Sequence, residues 1–483
     1  KDSAIVAIFK KGDIRDCGNY RGISLLSIPG KVYALLLLDQ LSDRMEATVL
    51  EHQAGFRRGR STSDHLFSLN QILSDAFEYN VPTHTCFIDL RKAYDTVNRP
   101  ALWRVLHQSG LSGKLQRLLR ELHTNTTATV KAFGTTSAPF NITNGVRQGC
   151  VLAPALFNIF LDHIIRIALS NSNDGVTIQY TVGPRKFSLR ANHRQSELIQ
   201  ILLYADDMAV VCDSPEGLNR LVSSIDNISQ SWGLDISQPK TENLSVDRHH
   251  QQPTPNITLR NHPIKQVSEF KYLGRTFSEI PNLDAEISCR LSKANASFYR
   301  LTAPLYRRPE ISLRTKIKIF RSTVLPTLLY GSETWAPLQS HVRRLETFQI
   351  KCLRYILRIR WATHGNISHN SIRKRCFNIS SIATSLRINR LRWFGHVVRM
   401  DKSRLPRKLL FGKPANVARP RGRPFANWRQ CVTNDLKSIH QLDTCIASAN
   451  SRAEWRKIIH QGPKQLRSNR SSRLRHSTRI QRK

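Results

Sequence analysis

Two aspartates, Asp206 and Asp207, stand side by side inside an otherwise apolar run, "ILLYADDMAVVC", residues 201–212. An ionised carboxylate is expensive to bury unless it is paired or bound to a cation. If Leu202–Tyr204 and Met208–Val211 pair as strands, the connection at Ala205–Asp207 is a hairpin turn, and the two acids rise to the rim of a sheet. A third acid, Asp89, closes another apolar stretch, "HTCFIDL", residues 84–90. If the two strands are neighbours, three carboxylates share one rim, and they cannot all ionise there without cations. Hard oxygen donors suit divalent ions such as Mg²⁺. Two such ions about 4 Å apart activate an attacking hydroxyl and stabilise the leaving oxygens in phosphoryl transfer. The competing reading is an Asp-rich turn that holds nothing.

The elements that must position these acids alternate along the chain. "HTCFIDL" has the β-branched and aromatic character of a buried strand. "NRPALWRVLHQSG" has helical spacing, with Pro100 at its start and Gly110 as its stop. "GVRQGCVLAPALFNIFLDHIIRIAL" is a glycine-containing loop followed by a long apolar helix, which Pro154 starts and Phe157 anchors. A further helix is expected from Pro215 to Trp232, and another over Val32–Met45 with its leucines buried. Strands alternating with helices in this order indicate an α/β or α+β sheet domain. From about Ala285 to Met400 the pattern becomes helical and rich in Arg and Leu. "GKPANVARPRGRPFANW" then reads as a linker, and the tail Gln461–Lys483 as a disordered basic segment.

Lys and Arg number 74 against 35 Asp and Glu, a net charge of +39 over 483 residues. That excess favours a polyanionic partner such as nucleic acid. No apolar stretch of about 18 residues exists, which disfavours a membrane protein. Nine cysteines occur singly, without C-x-x-C spacing, so reduced thiols in an intracellular protein are expected rather than disulfides or a zinc knuckle.

"FIDLRKAYD", "GVRQGCVLAPALFNIFLD", "YADD", "GLDISQPKTE" and "KYLG" resemble, in order and spacing, the palm motifs of reverse transcriptases. "NYRGISLLS" and "QAGFRRGRST" resemble the finger motifs of the non-LTR (LINE-type) retrotransposon enzymes, and "LLYGSETW" and "RLRWFGHVVRM" their helical region after the polymerase core. The likeness runs from about Ile5 to Trp455. It implies an α+β right-hand polymerase: partial fingers over 1–80, a palm with an antiparallel sheet over 81–280, and an α-helical thumb and connection over 281–400. A basic C-terminal region of linker, helix and tail follows over 401–483, and the polymerase motifs themselves span about 5–275.

The resemblance also implies roles. Asp89 and Asp206 ligate the catalytic Mg²⁺ ions, for which Mn²⁺ is an alternative, and Asp207 stands beside them. Tyr94 is the steric gate against a ribose 2′-OH, with a core tyrosine as the competing reading. Gln148 and Gly149 form the loop against the incoming nucleotide and template, where glycine permits close approach. Lys240 matches the lysine that protonates pyrophosphate, although Gln238 and Pro239 replace the usual asparagine before it. Arg21 meets the triphosphate with a fork of donors, followed here by Gly22 instead of proline. Arg57, Arg58 and Arg60 touch template phosphates or form a solvated basic turn. Tyr272, Leu273 and Gly274 fit the primer-grip hairpin or a plain β-turn.

The expected activity is RNA-directed DNA polymerisation, adding dNTPs to a primer DNA 3′-OH on template RNA, in the nucleus after cytoplasmic synthesis. Helices such as "KIKIFRSTVL" and "CLRYILRIRW" would turn arginines to a duplex backbone. Trp361, Trp393 and Trp428 are core anchors in preference to base-stacking platforms, and "PRGRP", Pro420–Pro424, matches an AT-hook core that also arises by chance. The start without methionine reads as a fragment lacking an upstream endonuclease. The alternatives are a catalytically dead remnant that only binds nucleic acid, and a group II intron-type or telomerase-type polymerase, which the finger and post-polymerase motifs disfavour.

Overall fold

The computed structural model describes residues 2–460 except 11, 112, 133, 183–193, 249–255, 360–366, 423–426 and 440. The tail from Gln461, Trp361 and part of the "PRGRP" segment therefore lie outside the described residues.

The architecture is α+β, as the motif order implies. At its centre lies a five-stranded sheet whose middle strand is β3 (Thr83–Ile88). On one side β3 pairs antiparallel with β6 (Asp207–Cys212), which pairs in turn with β5 (Ile201–Tyr204). On the other side it pairs antiparallel with β7 (Glu242–Val246), beyond which a short strand, Lys265–Gln266, closes the sheet. Successive side chains point to opposite faces, and both faces are covered. Ile201, Leu203, Met208, Val210 and Cys212 pack with helix α3 (Ala153–Leu169) and helix α4 (Pro215–Ser231). Leu202, Ala209 and Val211 pack on the other face with helix α2 (Thr62–Tyr79). Two-sided burial is why the run around Asp206 is continuously apolar rather than alternating.

The N-terminal strands β1 (Ser3–Phe9) and β2 (Tyr20–Leu25) pair antiparallel, and β1 pairs parallel with the strand Thr127–Ala132 in a second five-stranded sheet. Helix α1 (Ile28–Thr48) starts at a Ser27 cap whose hydroxyl accepts from the Gly30 amide, with Pro29 in its first turn. Its leucines divide by face: Leu37 and Leu41 are buried with Ala34 and Met45, whereas Val32, Leu35 and Leu36 face solvent. The expectation that the cluster is buried holds for one stripe only, because a lone surface helix offers just one side to a core.

Beyond the hairpin of β8 (Glu269–Tyr272) and β9 (Arg275–Ser278) the chain is helical, led by α5 (Asp284–Arg300), α6 (Gln339–Ile356) and α7 (Ile382–Val398). They enclose a second core that includes Phe298, Phe320, Trp335 and Leu353.

The segment after residue 401 is more than a linker. Helix α8 (Leu405–Leu410) and strand β10 (Gly412–Pro414) return toward α2, where β10 pairs antiparallel with β4 (Val176–Thr181). Helix α9 (Trp428–Ser438) seats Trp428 fully buried against Phe67 of α2, ring centroids 4.8 Å apart. Buried ion pairs complete the attachment. Arg429 meets Asp75 at 2.6 and 2.9 Å, and Arg404 meets Asp64 at 2.6 Å and Glu51 at 2.9 Å. Helix α2 is thus enclosed between the sheet and the C-terminal helices, which explains its buried Asp64, Asn70, Asp75 and Glu78. The motif resemblance assigns residues 1–80 to the fingers; within that span α2 packs its apolar residues against the central sheet.

Candidate active site

The hairpin between β5 and β6 has a two-residue turn, Ala205–Asp206, since Tyr204 pairs with Asp207. Ala205 takes the left-handed conformation, φ 57°, a strained choice for a residue with a Cβ, at about 1–3 kcal/mol. One buried amide holds it there. Gln53 Oε1 accepts from the Ala205 amide at 2.9 Å and from the Gly55 amide at 2.8 Å, while its Nε2 donates to the Ala205 carbonyl at 3.2 Å. The backbone around Gln53 runs alongside β5, with Leu203 bonded to the His52 carbonyl and the Ala54 amide to the Leu203 carbonyl, each at 2.9 Å. Gly55 is required at this crossing, because a Cβ there would run into the Ala205 backbone nitrogen. Asn158 of α3 donates to the Gly55 carbonyl at 2.7 Å from beneath.

The pairing of Met208 with Ile88 puts the acids after β3 and before β6 at the same end of the sheet. Asp89 is fixed by its carbonyl, which accepts from the Ser237 amide at 2.7 Å, and by an antiparallel bridge between Leu90 and Ile236. That bridge carries "GLDISQPK" to the site and sets Lys240 Nζ 3.1 Å from Asp89 Oδ2. Burial, then the charges of Asp206 and Asp89, push the Asp207 carboxyl up to about 6. Burial and Asp89 also raise Asp206, and Arg21 opposes them. The three acids and Arg21 therefore share one electrostatic neighbourhood.

Among the described residues no three His, Cys, Asp or Glu side chains close around a point as a preformed metal cage. That agrees with the chemistry of the donor set. Mg²⁺ is commonly held by one or two carboxylates together with substrate phosphates, and carboxylates that raise one another's pKa at one end of the sheet are oxygen donors of that kind. The residues present fit such an ion.

The other residues singled out by sequence fall into two groups. Tyr94 stacks on Phe157 with centroids 4.7 Å apart, and burial, then Asp206 and Asp207, raise its phenol. Gln148 Nε2 donates to Asp95 Oδ2 at 3.1 Å, and its carbonyl accepts from the Ser24 amide at 2.7 Å. Gly149, at φ 109°, lies where a Cβ would meet the Ser24 carbonyl. The loop is thereby set against β2, which carries Arg21. These residues gather with the acids.

The basic turn and the hairpin behave differently. Arg57 points inward to Glu46 at 2.9 Å and to the Leu50 and Gln53 carbonyls, its side chain 2% exposed, so it has no guanidinium left for template phosphate. Arg60 is similarly spent on Glu51 at 2.7 Å. Only Arg58 of the three turns outward, its side chain 65% exposed beside Asp39 and Asp43. Burial requires pairing, and the acids that pair Arg57 and Arg60 lie outside the motif. Tyr272 is buried against Phe87 and reaches His65, its hydroxyl 3.4 Å from Nδ1, so it anchors the hairpin from within. Leu273 and Gly274, both at positive φ, form its tight turn, and Tyr330 donates to the Leu273 carbonyl at 2.9 Å.

A mainly antiparallel sheet bearing a carboxylate hairpin beside a third carboxylate, covered by helices and followed by a helical region, is the palm of a nucleic-acid polymerase. Residues 8–277, over half the chain, match the family described as reverse transcriptase (RNA-dependent DNA polymerase), and the protein belongs to that family. It is similar to the probable RNA-directed DNA polymerase from transposon BS of Drosophila melanogaster, 26% identical over 87% of this chain and 45% of that protein. It is similar also to the RNA-directed DNA polymerase from mobile element jockey of Drosophila funebris, 25% identical over 74% of this chain and 38% of that one. A third relative is the Pol polyprotein from type-1 retrotransposable element R2 of Popillia japonica, 26% identical over 71% and 46%. The chain spans less than half the length of each. Apo telomerase from Candida tropicalis aligns with a TM-score of 0.42 and 11% identity over 95% of this chain and 68% of that one.

Proposed function

We propose that this chain is the polymerase of a non-LTR retrotransposon, extending a DNA primer with dNTPs on an RNA template. The observation that carries the reading is the convergence of Asp89, Asp206 and Asp207 with Lys240 and Arg21 at one end of the palm sheet. Asp89 and Asp206, with Asp207 beside them, would hold two Mg²⁺ or Mn²⁺ ions, which when bound supply activation of the primer hydroxyl and neutralisation of pyrophosphate.

The chain's own groups do the rest. Arg21 grips the triphosphate with its fork of donors. Lys240 gives a proton to the departing pyrophosphate. Tyr94, backed by Phe157, presents its ring under the sugar and rejects a 2′-OH. The Gln148–Gly149 loop receives the base pair being formed, and the Leu273–Gly274 turn, held by Tyr330, steadies the primer. Arg58, exposed beside Asp39 and Asp43, is the arginine of the basic turn placed to meet template phosphate. A chromosomal primer places the reaction in the nucleus. No helix among the described residues is long and apolar enough to cross a membrane.

The test is extension of a DNA primer on an RNA template with Mg²⁺ and dNTPs, compared with an Asp206→Ala, Asp207→Ala chain. Extension by the parent alone is expected; equal extension by both, or none by either while RNA binding persists, overturns the reading. In the same assay Tyr94→Val should raise rNTP incorporation about tenfold or more, and unchanged sugar discrimination would remove the gate from Tyr94.

A further inference from the structure

Helix α7 and the helix over 452–460 meet through a buried seam in which the Trp455 indole donates to the Leu391 carbonyl at 2.8 Å. Outside that seam they border an open cleft of about 560 Å³. Arg392, His396 and Arg399 come from one side, and Arg452, Arg456 and His460 from the other. One carboxylate, Glu333, reaches the cleft, and it is engaged by the Ser63 hydroxyl at 2.5 Å.

This concentration of like charge is not self-satisfied. Several other arginines in the C-terminal half are matched with acids, as Arg390 with Asp435 at 2.8 Å and Arg373 with Glu346. Among the described residues Arg392, Arg452 and Arg456 have no such partner and are exposed. Burial, then Arg399, Arg404 and Arg452, hold the His396 imidazole below its ordinary range, and Arg452 acts the same way on Arg399. Cationic walls that face one another without counter-charge are stabilised by an anion between them.

The cleft is also continuous with the polymerase. Arg392, Asn389 and Glu333 line a second depression, of about 590 Å³, together with Arg321 and Tyr330. Tyr330 is the residue that holds the Leu273 turn. A trough bearing arginines thus runs from the hairpin to the C-terminal helix. Together the two depressions have room for a few nucleotides of one strand. Trp393 and Trp455 are buried in its floor, so the recognition is of backbone rather than of stacked bases.

We propose that this cleft binds the phosphodiester backbone of single-stranded nucleic acid, outside the catalytic centre, and so holds an unpaired strand that enters or leaves the polymerase. Contacts of this kind are independent of base sequence and weaken steeply with salt.

The test reads binding alone, so it stands apart from the polymerase reading. The full chain carrying Asp206→Ala is titrated into labelled dodecamers of single-stranded RNA and of single-stranded DNA, and into a primer–template duplex, by fluorescence anisotropy over a salt series. The same chain with Arg452→Glu and Arg456→Glu, and a second with Gln at both positions, are compared. Both side chains are exposed, and an unchanged thermal midpoint confirms the fold. The single strands should bind about tenfold more weakly to both variants, with a salt slope lower by about 1.4 for two lost phosphate contacts, and duplex affinity should change less than twofold. A larger loss for RNA than for DNA assigns the template; equal losses assign backbone without sugar preference. Unchanged affinity and slope overturn the proposal. So does a loss with Glu but not Gln, which reports introduced repulsion, or an equal loss for duplex, which moves these arginines to the duplex channel.

Discussion

Lys240 Nζ donates to Asp89 Oδ2 at 3.1 Å, so a carboxylate proposed to face a divalent cation is already neutralised by an ammonium. Both groups are partly exposed, and such pairs contribute about 0–1 kcal/mol. Lys240 and the cation compete for the same oxygen, yet the lysine is also the proposed proton donor. Replacing it should separate these effects. Lys240→Met is expected to lower kcat for primer extension about 100-fold, within the usual range for a lost general acid, while the Mg²⁺ concentration for half-maximal rate falls by up to about fivefold. A Mg²⁺ titration at saturating dNTP measures both. Unchanged kcat would return Lys240 to a mere surface lysine.

The acids of the hairpin make the cation-free protein sensitive to pH in a defined direction. Asp207 is pushed up to about 6 from an ordinary value of 3.8 by burial and by Asp206 and Asp89. An acid whose folded pKa is raised binds more protons in the folded than in the unfolded chain within that window, so folding stability falls as pH rises from about 4 to 6. Asp207 retains contact with solvent, so the effect is screened. In chelator, the melting temperature of the parent should drop across this window relative to Asp207→Asn and match its trend below pH 4. Adding Mg²⁺ at pH 7 should raise the parent's midpoint, because a ligand of the folded state alone stabilises it. A parent and variant that run parallel from pH 4 to 7 would contradict the placement of the three charges.

Gln53 governs the turn without touching substrate. Its amide makes three hydrogen bonds to Ala205 and Gly55, and each unsatisfied buried group left by its loss costs about 1–3 kcal/mol. Gln53→Leu should therefore loosen Ala205 from its left-handed conformation and displace the neighbouring carboxylates. Misplacement of about 1 Å can lower a rate on the order of 100-fold. The expected result is a kcat lower by about tenfold to 100-fold with little change in dNTP KM. Adding Ala205→Gly, which removes the cost of positive φ, should recover part of the loss. A purely structural role would lower the melting temperature and leave kcat per folded molecule unchanged.

The contrast between Gln53 and its neighbours shows what could be read from sequence. The positions of Asp89 and Asp206 at one end of the sheet were legible because the apolar runs beside them required neighbouring strands, and motif order brought Lys240 to Asp89. Gln53 lies in the same quoted motif as Arg57 and Arg60, but charge drew attention to the arginines. Their partners, Glu46 and Glu51, lie upstream of that motif, and spacing alone does not reveal which guanidinium turns inward. The enclosure of α2 was equally hidden, since Asp75 and Arg429 meet across 354 residues. A buried polar helix and a solvated one have similar sequences; only the tertiary pairing distinguishes them.

That long-range pair supplies the last prediction. Arg429 is buried, bidentate to Asp75, and donates as well to the Leu409 and Gly412 carbonyls. Removing one member strands the other charge in a desolvated site, at about 3–5 kcal/mol, whereas replacing both with apolar residues is often neutral. Asp75→Ala should lower the melting temperature by several degrees and expose the segment after residue 401 to protease. Asp75→Leu with Arg429→Met should recover most of the midpoint, although the Leu409 and Gly412 carbonyls lose their donor. Thermal unfolding with limited proteolysis separates the cases. Were the single variant as stable as the parent, the C-terminal helices would be docked by Trp428, its apolar neighbours and the Arg404 pairs with Asp64 and Glu51, without a contribution from Arg429.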